Sequence, residues 1–206
     1  MKHAGKRFKT LAIALKEIEQ FVRNGEHLQT GKTFANFGGM RSREILANWL
    51  ISVVFNDRVG AERLTFIAIG EEIGGDGVLC DTETNETWPT EHVMVPRQNP
   101  EGLDLETRIL GAVAAKQTKG DAAYAEGKTL IVFVNAGGEE WLPNRVAKAV
   151  TRPIIFGAIW IVGLQTVDDG AYVYNVVELD EAEGVGHVWR VRIASGFDGW
   201  TVEQVQ

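Results

Sequence analysis

The sequence predicts an α/β protein in which a mixed β-sheet is flanked by helices, with extra antiparallel strands at the C-terminal end. Two short runs, residues 129–135 and 154–164, are continuously apolar, as in buried strands. Residues 172–205 instead alternate apolar and polar side chains, which is typical of antiparallel strands with one face in water. A helical pattern between the two buried strands predicts a parallel pair joined by a right-handed crossover.

Length and composition predict one domain with a sizeable core. The chain has 206 residues, of which 45% are hydrophobic and 24% are charged. We divide it into an N-terminal helix and loop over residues 1–40, a core over 41–166 and a β extension over 167–206. The net charge of −7 argues against a protein that coats nucleic acid by phosphate neutralisation alone, although a local basic groove stays compatible with it.

The sequence predicts a cytoplasmic protein without a membrane segment. No apolar run approaches the roughly eighteen residues of a membrane span. The apolar stretch 11–15 is too short for a signal peptide, because Lys16 and Glu17 interrupt it. The single cysteine, Cys80, excludes an internal disulfide and fits a reducing compartment.

Helical spacing of apolar residues marks three main helices. The first covers residues 1–24, and Asn24-Gly25 ends it. The second covers residues 43–55, with Ser42 as the expected N-cap. The third covers residues 105–125, with Gly120 as a weak point, and a shorter helix starts at Pro143. The expected apolar faces of the first two helices are Leu11, Leu15, Ile18 and Val22, and Leu46, Trp49, Leu50 and Val53.

Between the second and third helices, a first strand over residues 64–69 precedes a β-hairpin that carries two acids. Its arms are residues 75–81 and 88–95, and a polar turn separates them. If the turn is centred between Thr84 and Asn85, Val78 lies opposite Glu91. Because side chains alternate faces along a strand, Asp76 and Glu91 share one face. On the same argument, Asp81 and His92 share the other face.

Two interpretations of the acid pair remain open at this point. Carboxylates a few ångströms apart repel each other, so that Asp76 and Glu91 favour a cation between them unless one is protonated. The alternative is that both acids lie on the exposed face of the hairpin. A one-residue bulge would also separate them, because it would move one acid to the opposite face.

The order of elements supplies a family resemblance. A helix, three antiparallel strands, a helix, a strand, a helix and a strand, with an aspartate opening the second strand and a glutamate in the third, resembles the restriction-endonuclease-like fold of the PD-(D/E)XK nuclease superfamily. The resemblance covers residues 43–164. Its motif is Asp76, a gap of 15 positions, and then Glu91-His92-Val93. The family places a lysine where this chain has Val93.

The following helix offers a replacement for that lysine. Lys116 falls within the apolar stripe of the helix, where a lysine needs a carboxylate or a functional reason. Some members of the superfamily are thought to carry their lysine on this helix. Lys119 is the second choice, and the alternative is that Lys116 snorkels to water. Family members often place another acid on the first core helix. Glu44 occupies that region, although its position away from the apolar stripe predicts a solvent-facing side chain.

The resemblance implies a DNA endonuclease that uses Mg²⁺, with Mn²⁺ as a substitute. Asp76 and Glu91 would hold the metal, with the backbone carbonyl of His92 as a further ligand, and Lys116 would orient the attacking water. An inactive relative that binds nucleic acid or protein is the alternative, which Val93 and the net charge favour. An unrelated α/β protein is a third. The C-terminal strands would form either a homodimer surface or a target-reading extension.

Overall fold

The computed structural model describes residues 10–67, 76–119 and 122–206, which form a mixed α/β structure. These residues fall into two compact units. The first lies within Met1–Thr90 and includes Gly196–Gly199, and the second comprises Glu91–Ser195 and Trp200–Gln206. The expectation of a single domain stays a prediction. No helix in the described part of the chain has the length and apolar character needed to cross a membrane.

The first unit contains the two predicted helices and two short helical elements within the segment predicted as a loop; residues 1–9 of the first predicted helix lie outside the described residues. Its helical elements are α1 (Leu11–Arg23), α2 (Glu26–Thr30), a 3₁₀ turn (Ala35–Phe37) and α3 (Ser42–Val59). The hydroxyl of Thr10 caps α1 by accepting a hydrogen bond from the Ile13 N–H at 3.3 Å. The predicted apolar faces of α1 and α3 are buried. The indole N–H of Trp49 joins these helices by donating to the Leu11 carbonyl at 2.8 Å.

Helix α3 begins one residue earlier than the sequence predicts. Ser42 is the first helical residue instead of the N-cap, because its hydroxyl donates outward to the His27 carbonyl at 2.7 Å. Arg41 is the N-cap, and its backbone N–H donates to the Glu44 carboxylate at 2.8 Å. The acid in the first turn therefore satisfies a backbone donor that the helix itself cannot satisfy.

The strands of the first unit form the predicted antiparallel hairpin with a different register. In order, β1 (Leu64–Ile67) pairs with β2 (Val78–Asp81), which pairs with the beginning of β3 (Thr87–Val95). Val78 lies opposite Pro89, so that the prediction of Glu91 as its partner is wrong by two residues. A shift of two residues keeps every side chain on its predicted face. Residues 68 and 69 of the predicted first strand, and residue 75 of the hairpin, lie outside the described residues.

The turn of the hairpin explains the register. The Asp81 carboxylate accepts hydrogen bonds from the backbone N–H groups of Glu83 at 2.8 Å and Thr84 at 3.2 Å. The Asp81 N–H donates to the Glu86 carbonyl at 3.0 Å, and Asn85 has a left-handed φ of 59°. The turn therefore closes between Asp81 and Glu86, two residues earlier on the second arm than the predicted pairing of Asp81 with Trp88.

The second unit contains the rest of the sheet. Its elements are the continuation of β3, α4 (Leu105–Lys119), α5 (Ala122–Ala125), β4 (Thr129–Val134), α6 (Pro143–Ala149), β5 (Ala158–Asp168), β6 (Ala171–Asp180), β7 (Val185–Ile193) and β8 (Trp200–Gln204). The strands lie in chain order from β3 to β8. Strands β4 and β5 are parallel, as predicted, and β5 to β8 pair antiparallel. The predicted C-terminal antiparallel strands are thus confirmed.

Strand β5 and the predicted helix before β4 differ from their predicted bounds. Strand β5 starts four residues later than predicted, because its pairing with β4 begins with Thr129 opposite Ala158, just after the Gly157 N–H donates to the Lys128 carbonyl at 2.9 Å. The predicted helix over residues 105–125 is present as α4 and α5, with residues 120–121 outside the described part. Leu105, Ile109 and Val113 of α4 are buried in the apolar core, together with side chains of α6 and β4 to β7.

Candidate functional site

Lys116 on helix α4 forms an ion pair with Glu91 on strand β3, within the second unit. The side chains are only 13% and 10% exposed to solvent, respectively. The inward orientation predicted for Lys116 therefore holds, and its ammonium contacts a carboxylate instead of reaching water. Lys119, the second choice, is exposed.

Two further residues surround Glu91. The Tyr124 side chain on α5 donates a hydrogen bond to the Glu91 carboxylate. The Lys128 ammonium lies 4.1 Å from the centre of the Tyr124 ring, which is a cation–π geometry. Sequence reasoning gave Tyr124 little weight, because its seven-residue gap from Gln117 does not match the spacing usual in the resembled superfamily, and it did not point to Lys128. The position of Lys128 directly before β4 was the one signal that could have identified it.

The surroundings of Glu91 keep its carboxylate ionised. Burial raises the pKa of Glu91, but the hydrogen bonds from Lys116 and Tyr124 and the positive charges of Lys116 and Lys128 outweigh it, so that the pKa is lower than usual. The Glu91 carboxylate can bind a cation, and the partly buried Lys116 ammonium can bind an anion such as a phosphate. The arrangement is thus chemically compatible with phosphoryl chemistry.

Glu44 in the first unit is buried, which corrects the prediction that it faces solvent. Only 4% of the residue is exposed, because helix α3 is buried on most of its surface rather than along a single stripe. Burial raises the pKa of Glu44, and the negative charge of Asp76 raises it further. Two of the candidate acids, Glu44 and Asp76, therefore interact within this unit.

Asp76 is placed by backbone pairing at the start of the hairpin. Its N–H donates to the Thr90 carbonyl at 3.0 Å, and the Thr90 N–H donates to the Gly77 carbonyl at 2.9 Å. Half-buried Arg43 is also near, and although burial lowers the pKa of Arg43, the negative charges of Glu44 and Asp76 act in the opposite direction. Sequence reasoning missed Arg43, which adds a cation beside the two acids of this unit.

A buried amide lies one helical turn after Glu44. Asn48 is fully buried, and among the described residues neither its Oδ1 nor its Nδ2 has a hydrogen-bond partner. Gly77 approaches it so closely that a Cβ built there would lie 2.5 Å from Nδ2. Buried unpaired amides are rare because they lose their hydrogen bonds to water. Apolar packing alone therefore does not explain why an asparagine occupies position 48.

Asp81 and His92, the two residues predicted on the other face of the hairpin, are both buried. Asp81 pairs with the Arg63 guanidinium at 2.5 Å in addition to capping the turn, and these interactions hold the pKa of Asp81 below its usual range. His92 is buried on β3 in the second unit. Asp81 belongs to the first unit and His92 to the second.

The acids of the predicted metal site are divided between the two units. Asp76 and Glu44 belong to the first, and Glu91 and His92 belong to the second. Across residues 10–67, 76–119 and 122–206, no three or more His, Cys, Asp or Glu side chains form a group that could hold a metal ion. The carboxylate-and-metal prediction accordingly stays a prediction.

Comparison with protein-family models, with curated proteins and with solved structures finds no match for this chain.

Proposed function

We propose that this chain is a Mg²⁺-dependent endonuclease that hydrolyses phosphodiester bonds in DNA. The observation that supports it most is the ion pair between Lys116 and Glu91, because it supplies a lysine at the motif glutamate in a chain that has Val93 at the usual lysine position. Because position 93 is a valine, the proposal needs an inward lysine on the helix after β3, and Lys116 is such a lysine. The buried acid on α3, Glu44, is consistent with the same reading.

Asp76 and Glu91 are the carboxylates that would hold the metal in this proposal, with the His92 carbonyl as a further oxygen. Mg²⁺ is usually bound through one or two carboxylates, with water and substrate phosphate completing its coordination. The donor chemistry fits, since the low pKa of Glu91 keeps that group anionic at neutral pH. Mn²⁺ accepts the same oxygen ligands. When bound, the metal would lower the pKa of a water molecule and neutralise charge on the phosphate.

The residues of this chain would then have separate tasks. The Lys116 ammonium would hold the attacking water or the phosphate oxygen in position while keeping Glu91 ionised. The Tyr124 hydroxyl fixes the orientation of the Glu91 carboxylate through its hydrogen bond. Arg43 would bind a backbone phosphate through its half-buried guanidinium, in competition with the two acids beside it. Positioned cations of this kind contribute through electrostatic stabilisation of the transition state.

The second candidate is an inactive relative that binds nucleic acid or another protein. Val93 and the net charge of −7 favour it. The two candidates predict different results with DNA: an enzyme cleaves it, whereas a binding module binds it without cleavage. A cytoplasmic location and a homodimer through the C-terminal strands are further parts of the proposal, and light scattering of the purified protein tests the second.

A cleavage assay tests the proposal. Supercoiled plasmid, linear duplex and single-stranded RNA are incubated with the wild type in Mg²⁺, in Mn²⁺ and in EDTA. We expect nicked or linear plasmid with either metal, no cleavage in EDTA, and loss of cleavage in Asp76→Asn and Glu91→Gln. The matched controls are Asp57→Asn and Glu101→Gln, which change exposed acids in the first and second units and should leave the rate unchanged. Metal-independent cleavage, or equal rates in all variants, would overturn the proposal.

A further inference from the structure

The second unit contains a cavity that the proposed nuclease chemistry does not use. Its volume is about 590 Å³, which lies in the range of small-molecule sites. It is situated past the carboxyl end of β4, where Asn135 and the loop 136–142 lead into α6. Lys128 precedes the other end of the same six-residue strand. Asn135 donates to the carbonyl of Val95, which follows Glu91 by four residues on β3, so that about 13 Å of strand separates the cavity from Glu91.

The lining of the cavity includes a glycine of the sheet. Gly163 of β5 lies opposite Val134 of β4 on one side and Asn175 of β6 on the other. A Cβ built on Gly163 would lie 3.2 Å from the Val134 Cβ, so that a larger residue would be crowded against Val134. Trp141 and Asn175 line this cavity and also an adjoining one of about 320 Å³, which continues past Arg190.

Two buried amide atoms give the cavity its polar character. Nδ2 of Asn135 is a donor, and Oδ1 of Asn175 is an acceptor. Both atoms are buried and have no hydrogen-bond partner among the described residues. Both asparagines line the cavity, and a rotation about the side-chain torsions is required for each buried group to face a molecule bound there. A ligand that satisfies both must offer one acceptor and one donor.

We propose that this cavity binds a nucleobase, in the form of an uncharged nucleoside. Each nucleobase offers a donor beside an acceptor on its Watson–Crick edge, which a carboxylate or an amine alone does not. The Trp141 indole provides an aromatic surface of the kind on which bases stack. Glu139 and Glu140 line the loop side. Arg108 pairs with Glu139 at 2.8 Å, so that exposed Glu140 is the acid that disfavours an added phosphate. Arg190 does not offset Glu140, since it is engaged by Gln165 at 3.1 Å and by Glu203 at 3.8 Å.

Calorimetry with the four ribonucleosides, without metal, tests this site independently of the nuclease proposal. We expect saturable one-to-one binding of at least one nucleoside, and weaker binding of its 5′-monophosphate. Asn135→Ala and Asn175→Ala should each reduce the affinity about five- to tenfold, because each removes one hydrogen bond. Asn36→Ala, an exposed asparagine in the first unit, should have no effect.

A second variant keeps the test decisive if an asparagine variant is poorly folded. Trp141→Ala, whose fold is checked by circular dichroism, should reduce binding by the loss of stacking, about five- to a hundredfold. Toluene and ribose are the reference compounds, since neither has both the aromatic face and the paired edge. The proposal is overturned if no nucleoside binds at millimolar concentration, if toluene binds as well as the nucleosides, or if folded variants bind like the wild type.

Discussion

Lys116 and Glu91 are 25 residues apart in the chain and form an ion pair from which most solvent is excluded. The lysine comes from helix α4 and the glutamate from strand β3. Lys116 is on the inward face of its helix, and its ammonium therefore reaches the Glu91 carboxylate. The chain thus has a lysine at this glutamate although position 93 is a valine. The same pair keeps Glu91 ionised and excludes the interpretation in which Lys116 extends into solvent.

Replacing Lys116 by methionine should reduce both activity and stability. The substitution leaves the Glu91 carboxylate with fewer positive partners, and its pKa should rise. We expect the unfolding free energy to fall by roughly 1–3 kcal/mol, less than for a fully buried pair. Under the nuclease proposal, plasmid nicking should slow by about 10²-fold at saturating Mg²⁺. Lys119→Met is the matched control on the same helix, and equal effects of the two substitutions would contradict the account.

Replacing Glu44 by glutamine should stabilise the protein at neutral pH. The pKa of Glu44 is raised, so that its favourable contribution is fully present below its usual pKa and is lost as the pH rises through its folded-state pKa. Glutamine can still accept the hydrogen bond from the Arg41 N–H without bringing a charge. The urea midpoint of Glu44→Gln should therefore exceed that of the wild type at pH 7, and the two should converge near pH 4. A difference that does not change with pH contradicts this reasoning; exposed Glu62→Gln is the control.

Replacing Gly77 by alanine should strongly destabilise the first unit. Gly77 has a φ of +147°, which side chains rarely adopt, and its new Cβ would lie 2.5 Å from Nδ2 of Asn48 and 2.9 Å from Cε of Met40. We expect a loss of roughly 2–4 kcal/mol in the unfolding free energy, from backbone strain and overpacking. Gly25→Ala is the control, because nothing lies within 4 Å of its Cβ. Equal unfolding midpoints would show that the close approach is absent.

Asp81 should prove to be a structural acid. Its pKa is lowered by the Arg63 hydrogen bond and by the turn N–H groups, so that its stabilising contribution is present above its usual pKa and is lost as the pH falls through its folded-state pKa. Asp81→Asn should therefore lower the urea midpoint at pH 7 and lose less stability than the wild type on acidification. Metal binding by the folded variant should be unchanged. A folded Asp81→Asn that no longer binds Mg²⁺ would assign this acid to the metal site.

The sequence predicted those features that depend on local pattern. The apolar stripes of α1 and α3 follow from a spacing of 3.6 residues and the C-terminal antiparallel strands from a spacing of 2, whereas the parallel pair β4 and β5 follows from two continuously apolar runs with a helix between them. The inward side of Lys116 follows from the same helical spacing. What could not be predicted depends on hydrogen bonds made by single side chains. The Asp81 cap moved the hairpin register, and the Ser42 bond to His27 moved the start of α3.

The candidate site was predictable only in part for a related reason. Glu44 was expected in solvent because a helix with one apolar stripe has a wet opposite face, whereas α3 is enclosed on most sides. Lys128 and Arg43 carry no motif, and only their positions beside the acids of their own units identify them. The lining of the cavity near Asn135 includes Gly163 of a neighbouring strand, and the linear sequence does not show which residues are paired across strands.

The central proposal is that Asp76 and Glu91 bind a divalent metal, and Mg²⁺ titration calorimetry tests it most directly. The titration compares the wild type with Asp76→Asn and Glu91→Gln, and with the controls Asp57→Asn and Glu101→Gln, after circular dichroism confirms that each is folded. The account predicts saturable binding of Mg²⁺ to the wild type and to both controls, and at least tenfold weaker binding in the two site variants. Absence of binding by the wild type, or equal affinity in all five proteins, would contradict it.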